Sequence, residues 1–157
     1  MKILLVLAAL VLAPIAWANP VYGVVIVVID GDTVLFKPDH YHPSSRAFLK
    51  VRLAGIDAPE VGQPHGDAAT QALKALALKR PAQLEGVATD AYGRTLGRLN
   101  VDGLDVSAEL VRRGHAWAAA RDAADPLGQL QDEARRARRG LWSDPDPLPP
   151  WVWRRRQ

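Results

Sequence analysis

The 157 residues contain no cysteine. Stability must therefore come from packing and not from cross-links, even in an oxidising compartment. Zinc–thiolate sites and cysteine nucleophiles are excluded with it. No stretch past the N-terminal leader approaches the roughly twenty apolar residues of a membrane-spanning helix. Internal repeats are absent, and so is a large charge of either sign: 20 lysines and arginines face 17 acids, a formal +3. What the composition does supply is 48% hydrophobic residues, ample for one sizeable core in a chain of single-domain length.

The first eighteen residues read as an address. Lys2 gives a charged start, Ile3 to Ala13 an apolar run, and Ala16-Trp17-Ala18 an A-x-A cleavage site. The run is short for a membrane span, which predicts a secreted or periplasmic protein beginning near Asn19, without stable membrane association after cleavage. Retention as an uncleaved anchor is the alternative. The chain thus divides into a leader (1–18), one folded domain (19–143) and a tail rich in proline, tryptophan and arginine (144–157). Once Lys2 is removed, two bases remain in excess, and they gather late, in "EARRARRG" (133–140) and "WVWRRRQ" (151–157). Such clusters suit a polyanion, and equally a solvated helix face and a frayed tail.

"VYGVVIVVID" (21–30) is β-branched and bounded by Asp-Gly, as a mostly buried strand would be. Further strands are predicted over Thr33 to Lys37, Ala47 to Gly55, Gln83 to Thr89 and Thr95 to Val101. Helices are predicted from about Asp67 to Arg80, where Pro81 forbids continuation, from Val106 to a left-handed cap at Gly114, and from Pro126 to Arg139. The last carries Leu127, Leu130, Ala134, Ala137 and Leu141 in one narrow apolar stripe, so most of its arginines face away from the core. The tail has four prolines and is expected to lie extended, with Trp151 and Trp153 as anchors. Three strands joined by short turns, then strands interleaved with helices, describe a small antiparallel barrel with helices outside, or a generic α+β sandwich.

The chemistry centres on two stretches, "VVIDGDTVLF" (27–36) and "VRLAGIDAPE" (51–60). Alone, Asp-Gly is a common hairpin turn and an acid before proline is unremarkable. Together they place Asp32, Asp57 and Glu60 at the ends of strands that can lie side by side. Acids packed together repel and call for a cation. The histidines His40, His42, His65 and His115 stand outside these motifs, so the ligand set is oxygen only, pointing to calcium or magnesium. His40 and His42, two residues apart on one loop, read as solvent-exposed and not as a metal pair. Arg52 enters the strand that ends at Asp57, and Arg94 follows the tight "DAYG" turn. Two guanidinium forks beside a carboxylate-bound hard cation match phosphate oxygens, and the chemistry suggested is hydrolysis of a phosphate ester.

The motifs "IDGDTVLF", "VRLAGIDAPE" and "TDAYGRTLGRLNVDGLDVSAELVRRGHAWA", in this order, make the sequence resemble the staphylococcal nuclease (thermonuclease) family over roughly residues 22 to 142. The ending "RRARRGLW" before "PPWVWRRR" is similar to that of the bacterial secreted members. The resemblance implies an OB-fold, a five-stranded β-barrel with three packed α-helices of the α+β class. It implies that Asp32, Asp57 and the main-chain carbonyl of Ala58 hold one Ca²⁺, that Glu60 is general base on the attacking water, and that Arg52 and Arg94 grip the scissile phosphate, Arg94 on the leaving-group side. Asp30 would support these ligands from behind. The substrate implied is DNA and/or RNA, cleaved to 3′-phosphates by a monomer.

Two departures stand out. Ala58 replaces a usual threonine, which matters little for a backbone ligand. After "RRGHAW" the chain runs "AAARDAADP", where relatives carry tyrosines that stack on or hydrogen-bond the nucleotide. Trp117 sits there at an expected helix end and reads as core packing before base platform. The rival readings are a secreted OB-fold module that binds nucleic acid without cutting it and a structural domain with incidental acidic turns. Degenerate members lose acids or arginines, and none of the five is lost here.

Overall fold

The computed structural model describes residues 19–119 and 125–157. The leader expected at 1–18 lies outside the described residues, as do 120–124 within "AAARDAADP". Strands β1 (Val21–Val28), β2 (Thr33–Pro38) and β3 (Leu49–Leu53) form an antiparallel meander, followed by the two-residue β4 (Ile56–Asp57) and helix α1 (Gly66–Ala77). Strand β5 (Pro81–Thr89) pairs with the other edge of β1 and with β6 (Thr95–Val101). A parallel pairing of β3 with β6, Val51 opposite Thr95, closes five strands into a barrel. β7 (Leu104–Asp105) leads into α2 (Val106–Arg112); β8 (Trp117–Ala118) pairs with β4; α3 (Pro126–Arg136), a 3₁₀ turn (Gly140–Ser143) and α4 (Pro150–Arg154) complete the described elements. This is the α+β barrel of the OB type, and the sandwich alternative is set aside.

The barrel interior is fully buried Val25, Val34, Phe36, Val51, Leu53, Leu84 and Leu99, and it is capped by Leu73 of α1 and Leu110 and Val111 of α2. β1 alternates and is not buried throughout: Val27 is 42% exposed, and Ile29 just beyond the strand is 40% exposed. The turn after β1 carries Gly31 for reasons of space. A Cβ there would stand 2.7 Å from the Ala58 methyl and 2.8 Å from that of Ala69, so only glycine lets the turn press onto both the acidic loop and α1.

Helix boundaries shift for identifiable causes. α1 stops at Ala77 and not near Arg80, because Leu78 turns extended to bridge Val25 and Lys79 adopts φ 59° to donate to the Val25 carbonyl. Asp105 and Asp125 cap α2 and α3 through their side chains, and Pro126 opens α3 at the position where proline lacks only a surplus donor. α3 ends at Arg136, ahead of the left-handed Arg138, which leaves Ala137 of the expected stripe exposed while Ala134 and Leu141 are buried. Trp117 lies in a strand and not at a helix end, and it packs with Trp142, Ala134 and Leu141 in a second apolar cluster.

The tail departs most from expectation. It is not wholly extended: α4 makes a fourth helix among the described residues, with Pro150 in its first turn, where a missing N–H costs nothing. Trp151 anchors it against the second cluster, as expected of one of the two tail tryptophans. No helix among the described residues is long and apolar enough to cross a membrane.

Gly114 and Gly140, at φ 74° and 53°, cross back to back, and the Leu141 N–H donates to the Gly114 carbonyl at 2.9 Å. A Cβ on Gly114 would overlap the Arg139 carbonyl. Gly114→Ala is therefore expected to cost at least about 2 kcal/mol, from left-handed strain and overpacking together. An unchanged urea midpoint would refute this account of the crossing.

Half-buried His115 follows. Desolvation, helped by the charges of Arg113 and His65, pushes its imidazole below the ordinary 6.5. The fold therefore prefers neutral His115, the unfolded chain takes up its proton first, and stability falls as pH drops from 6.5 through the lowered value. His115→Gln is expected to flatten this part of the stability profile, read as urea midpoints between pH 8 and 5; an unaltered slope would assign it elsewhere.

Candidate active site

The Asp30-Gly31-Asp32 stretch is both a turn and part of a charged cluster. Asp30 Oδ1 accepts the Asp32 N–H at 3.0 Å, which turns Asp32 inward, where it is 5% exposed. Asp32 Oδ2 then accepts the Ala58 N–H at 2.7 Å, and Oδ1 accepts the Thr33 hydroxyl at 3.1 Å. This ties the turn of the first motif to the acidic loop of the second, across 26 positions. Burial pushes the Asp30 carboxyl above the ordinary range, against the lowering effect of Thr33 and of the Arg52 and Arg94 charges.

Arg52 points outward from β3 between inward Val51 and Leu53. One of its terminal nitrogens meets Asp32 Oδ1 and the other meets Asp57 Oδ1 at 2.9 Å. One guanidinium thus spans both aspartates. Asp57 itself is held in the β4–β8 ladder opposite Trp117. Its carboxylate also receives Arg154 of α4, at 3.1 Å on Oδ1 and 2.8 Å on Oδ2, and Arg154 goes on to Glu60 Oε1 at 2.5 Å. The bond to Asp57, reinforced by Glu60, holds Arg154 charged well above its ordinary value despite some desolvation. The result is an alternating chain, Asp32–Arg52–Asp57–Arg154–Glu60.

Arg94 takes no part in that chain. It binds Asp90 Oδ2 through Nε at 2.7 Å and lies 5.5 Å over the Tyr92 ring. Desolvation works against the Asp90 carboxylate, but N–H donors from Arg94 and Tyr92 outweigh it and hold Asp90 below the usual range. Arg94 nevertheless lines the same cavity of about 560 Å³ as Asp30, Asp32, Arg52, Glu60 and Arg154, with Lys50 and Tyr92 completing its cationic and aromatic side. Counting Asp57 with its partners, four carboxyls meet four cations.

The structure therefore gathers Asp32, Arg52, Asp57 and Glu60 in direct contact and sets Arg94 on the same cavity wall, with Ala58 buried beside Asp32. Among the described residues no group of three acidic or histidine side chains forms a ready metal cage. The expected ligand set asks for only two carboxylates and a carbonyl. Its donors fit a hard cation: both aspartates already share one positive group, and all the oxygens are of the type calcium prefers. The histidine pair forms no centre; His42 Nδ1 bonds the Ser44 hydroxyl and His40 packs edge-on against Tyr41.

The family model described as staphylococcal nuclease homologue matches residues 50–144, more than half of the chain. The chain belongs to that family. A protein named Uncharacterized endonuclease, from Escherichia coli O157:H7, is 41% identical over 139 residues, 87% of each chain. Protein ParB of Escherichia coli is 42% identical over 161 residues, covering 95% of this chain and 87% of that one. The Micrococcal nuclease of Shigella flexneri is 38% identical over 152 residues, 89% and 83% of the two chains. Family membership makes this protein a phosphodiester-hydrolysing nuclease.

Sequence reasoning missed Lys50, Tyr92, Gln63 and Arg154 in this nuclease. Lys50 was within reach of pattern, since it shares an outward strand face with Arg52 two residues on. Tyr92 stands inside the quoted "DAYGR" turn. Gln63 bonds the Glu60 N–H three residues away but reaches the tail only through Leu148, 85 positions on, and Arg154 meets the site only through contacts 94 to 97 positions apart, which no local spacing signals.

Proposed function

We propose that this nuclease is a Ca²⁺-dependent, exported enzyme that hydrolyses DNA and/or RNA to 3′-phosphates as a monomer. The observation that supports it most is the bridge of Asp32 to Asp57 by Arg52, with Glu60 and Arg94 on the same cavity. Asp32, Asp57 and the Ala58 carbonyl would hold the ion, which when bound supplies Lewis-acid polarisation of the phosphate and offsets its charge. Glu60 orients a water and takes its proton as the oxygen attacks phosphorus. Arg52 and Arg94 hold non-bridging oxygens and stabilise the charge that grows on the pentacoordinate phosphorus, with Arg94 nearer the departing 5′-oxygen. That oxygen leaves as a 5′-hydroxyl by taking a proton from solvent water, Glu60 returns its own proton to solvent, and the phosphate remains on the 3′ side.

Mature protein incubated with single-stranded DNA is expected to cleave it with Ca²⁺ and to stop on adding a chelator. The fragments should become substrates for a 5′-kinase without prior phosphatase treatment. Chelator-resistant cutting would remove the metal from the scheme, and 5′-phosphate ends would reverse the direction of cleavage.

A further inference from the structure

The C-terminal segment reaches the active site through three separate holds. Its Trp151 ring packs edge-on against Trp117 at 6.2 Å, beside the 5.4 Å contact of Trp117 with Trp142, and Pro150 is buried. Gln63, 5% exposed, donates to the Leu148 carbonyl at 2.5 Å while its own Oε1 accepts the Glu60 N–H at 2.9 Å. Arg154 then commits both terminal nitrogens to carboxylates, one to Asp57 and Glu60 together and the other to Asp57. Since Trp117 pairs with Asp57 across the β4–β8 ladder, the ring contact and the guanidinium act on the two members of one short pairing.

We propose that the segment from Leu148 to Arg154 is an autoinhibitory strap, in which the Arg154 guanidinium occupies Asp57 and Glu60 and competes with the divalent cation for them. This rests on the reading of Asp57 as an ion ligand and Glu60 as the base. Arg154 engages both Asp57 oxygens, Oδ1 together with Arg52, so an ion arriving there would be a third positive group on one carboxylate and displaces the more exposed fork, Arg154, as like charges at such distances repel. The same guanidinium also occupies Glu60 Oε1, one of the two oxygens that would accept a proton. The hold is reversible: the Arg154 side chain is 46% exposed, where ion pairs are weak, and only a five-residue helix carries it. Apparent ion affinity is the intrinsic affinity reduced by the fraction of molecules with the strap open. An open fraction on the order of 10% predicts a roughly tenfold gain when the strap is disabled.

The test is calorimetric titration of Ca²⁺ into the full mature chain and two charge-matched variants, Arg154→Gln and Arg155→Gln, with thermal unfolding as a check on folding. Arg155 is exposed and has no carboxylate partner among the described residues. Arg154→Gln is expected to bind Ca²⁺ roughly tenfold more tightly than wild type, with Arg155→Gln within about twofold of it. Equal affinities in all three, or weaker binding by Arg154→Gln, would overturn the strap while leaving the calcium reading intact. No binding by any of them would overturn the calcium reading and the competition with it. A second measurement needs no ion: trypsin should cut the tail arginines faster in Asp57→Asn than in wild type, and equal rates would show that Asp57 does not hold the strap.

Discussion

Replacing Glu60 by glutamine is expected to lower turnover by about 10²–10⁴, the contribution typical of a positioned general base. The substitution keeps the side chain's size and its acceptor oxygen, so the Arg154 contact survives in weaker form and the fold is unaffected. The Glu60 main chain is fixed independently through the Gln63 side chain, at 2.9 Å. Glu60 lines the cavity beside Arg52 and Arg94, the placement that the proposed reaction asks of a base. Single-turnover rates at saturating Ca²⁺ measure the effect directly. Turnover within tenfold of wild type, with ion affinity unchanged, would remove Glu60 from the proton transfer.

Arg52→Ala is expected to do two things at once. Loss of a guanidinium that steadies transition-state charge costs about 3–4 kcal/mol, a rate loss of roughly 10²–10³. It also strands two carboxylates, Asp32 at 6% side-chain exposure and Asp57 at 13%. Breaking a buried pair typically costs about 3–5 kcal/mol. Here the loss should be smaller, about 2 kcal/mol, since Asp32 keeps the Ala58 N–H and Thr33 hydroxyl and Asp57 keeps Arg154. Arg94→Ala supplies the contrast. Its pairing with Asp90 is partly solvated and local, so a similar rate loss should come with a stability change below about 1 kcal/mol. Urea unfolding of the two variants without Ca²⁺ distinguishes them, and equal stabilities would mean that Arg52 does not hold the aspartates together.

Much of this arrangement was legible in the chain, because local chemistry dictates it. The β-branched runs ending in Asp-Gly and Asp-Ala-Pro, the helix starts at Val106 and Pro126, and the proline at 81 all rest on signals within a few residues, and the elements they mark are present. The co-location of Asp32 with Asp57 was legible only as an ordered pair of motifs. Its physical cause, a glycine thin enough for the turn to touch Ala58 and Ala69, appears in three dimensions. The tail was misjudged for a definite reason. Four prolines signal breakage when counted, yet a proline in the first turn starts a helix, and the Trp151 contact that stabilises α4 comes from Trp117, more than thirty positions earlier. Arg154 resembled any other base in a basic run until a carboxylate 97 positions away claimed it.

The even match of acids and bases at the site, with Asp57 counted beside the cavity lining, predicts an order of arrival. A phosphate chain meeting a wall whose fixed charges cancel gains little from long-range attraction, so its encounter rate before a cation is present should hardly vary with ionic strength. On the proposed calcium loading, two added positive charges would tip that wall to net attraction, so the polymer is expected second, with sensitivity to salt appearing only once the ion is bound.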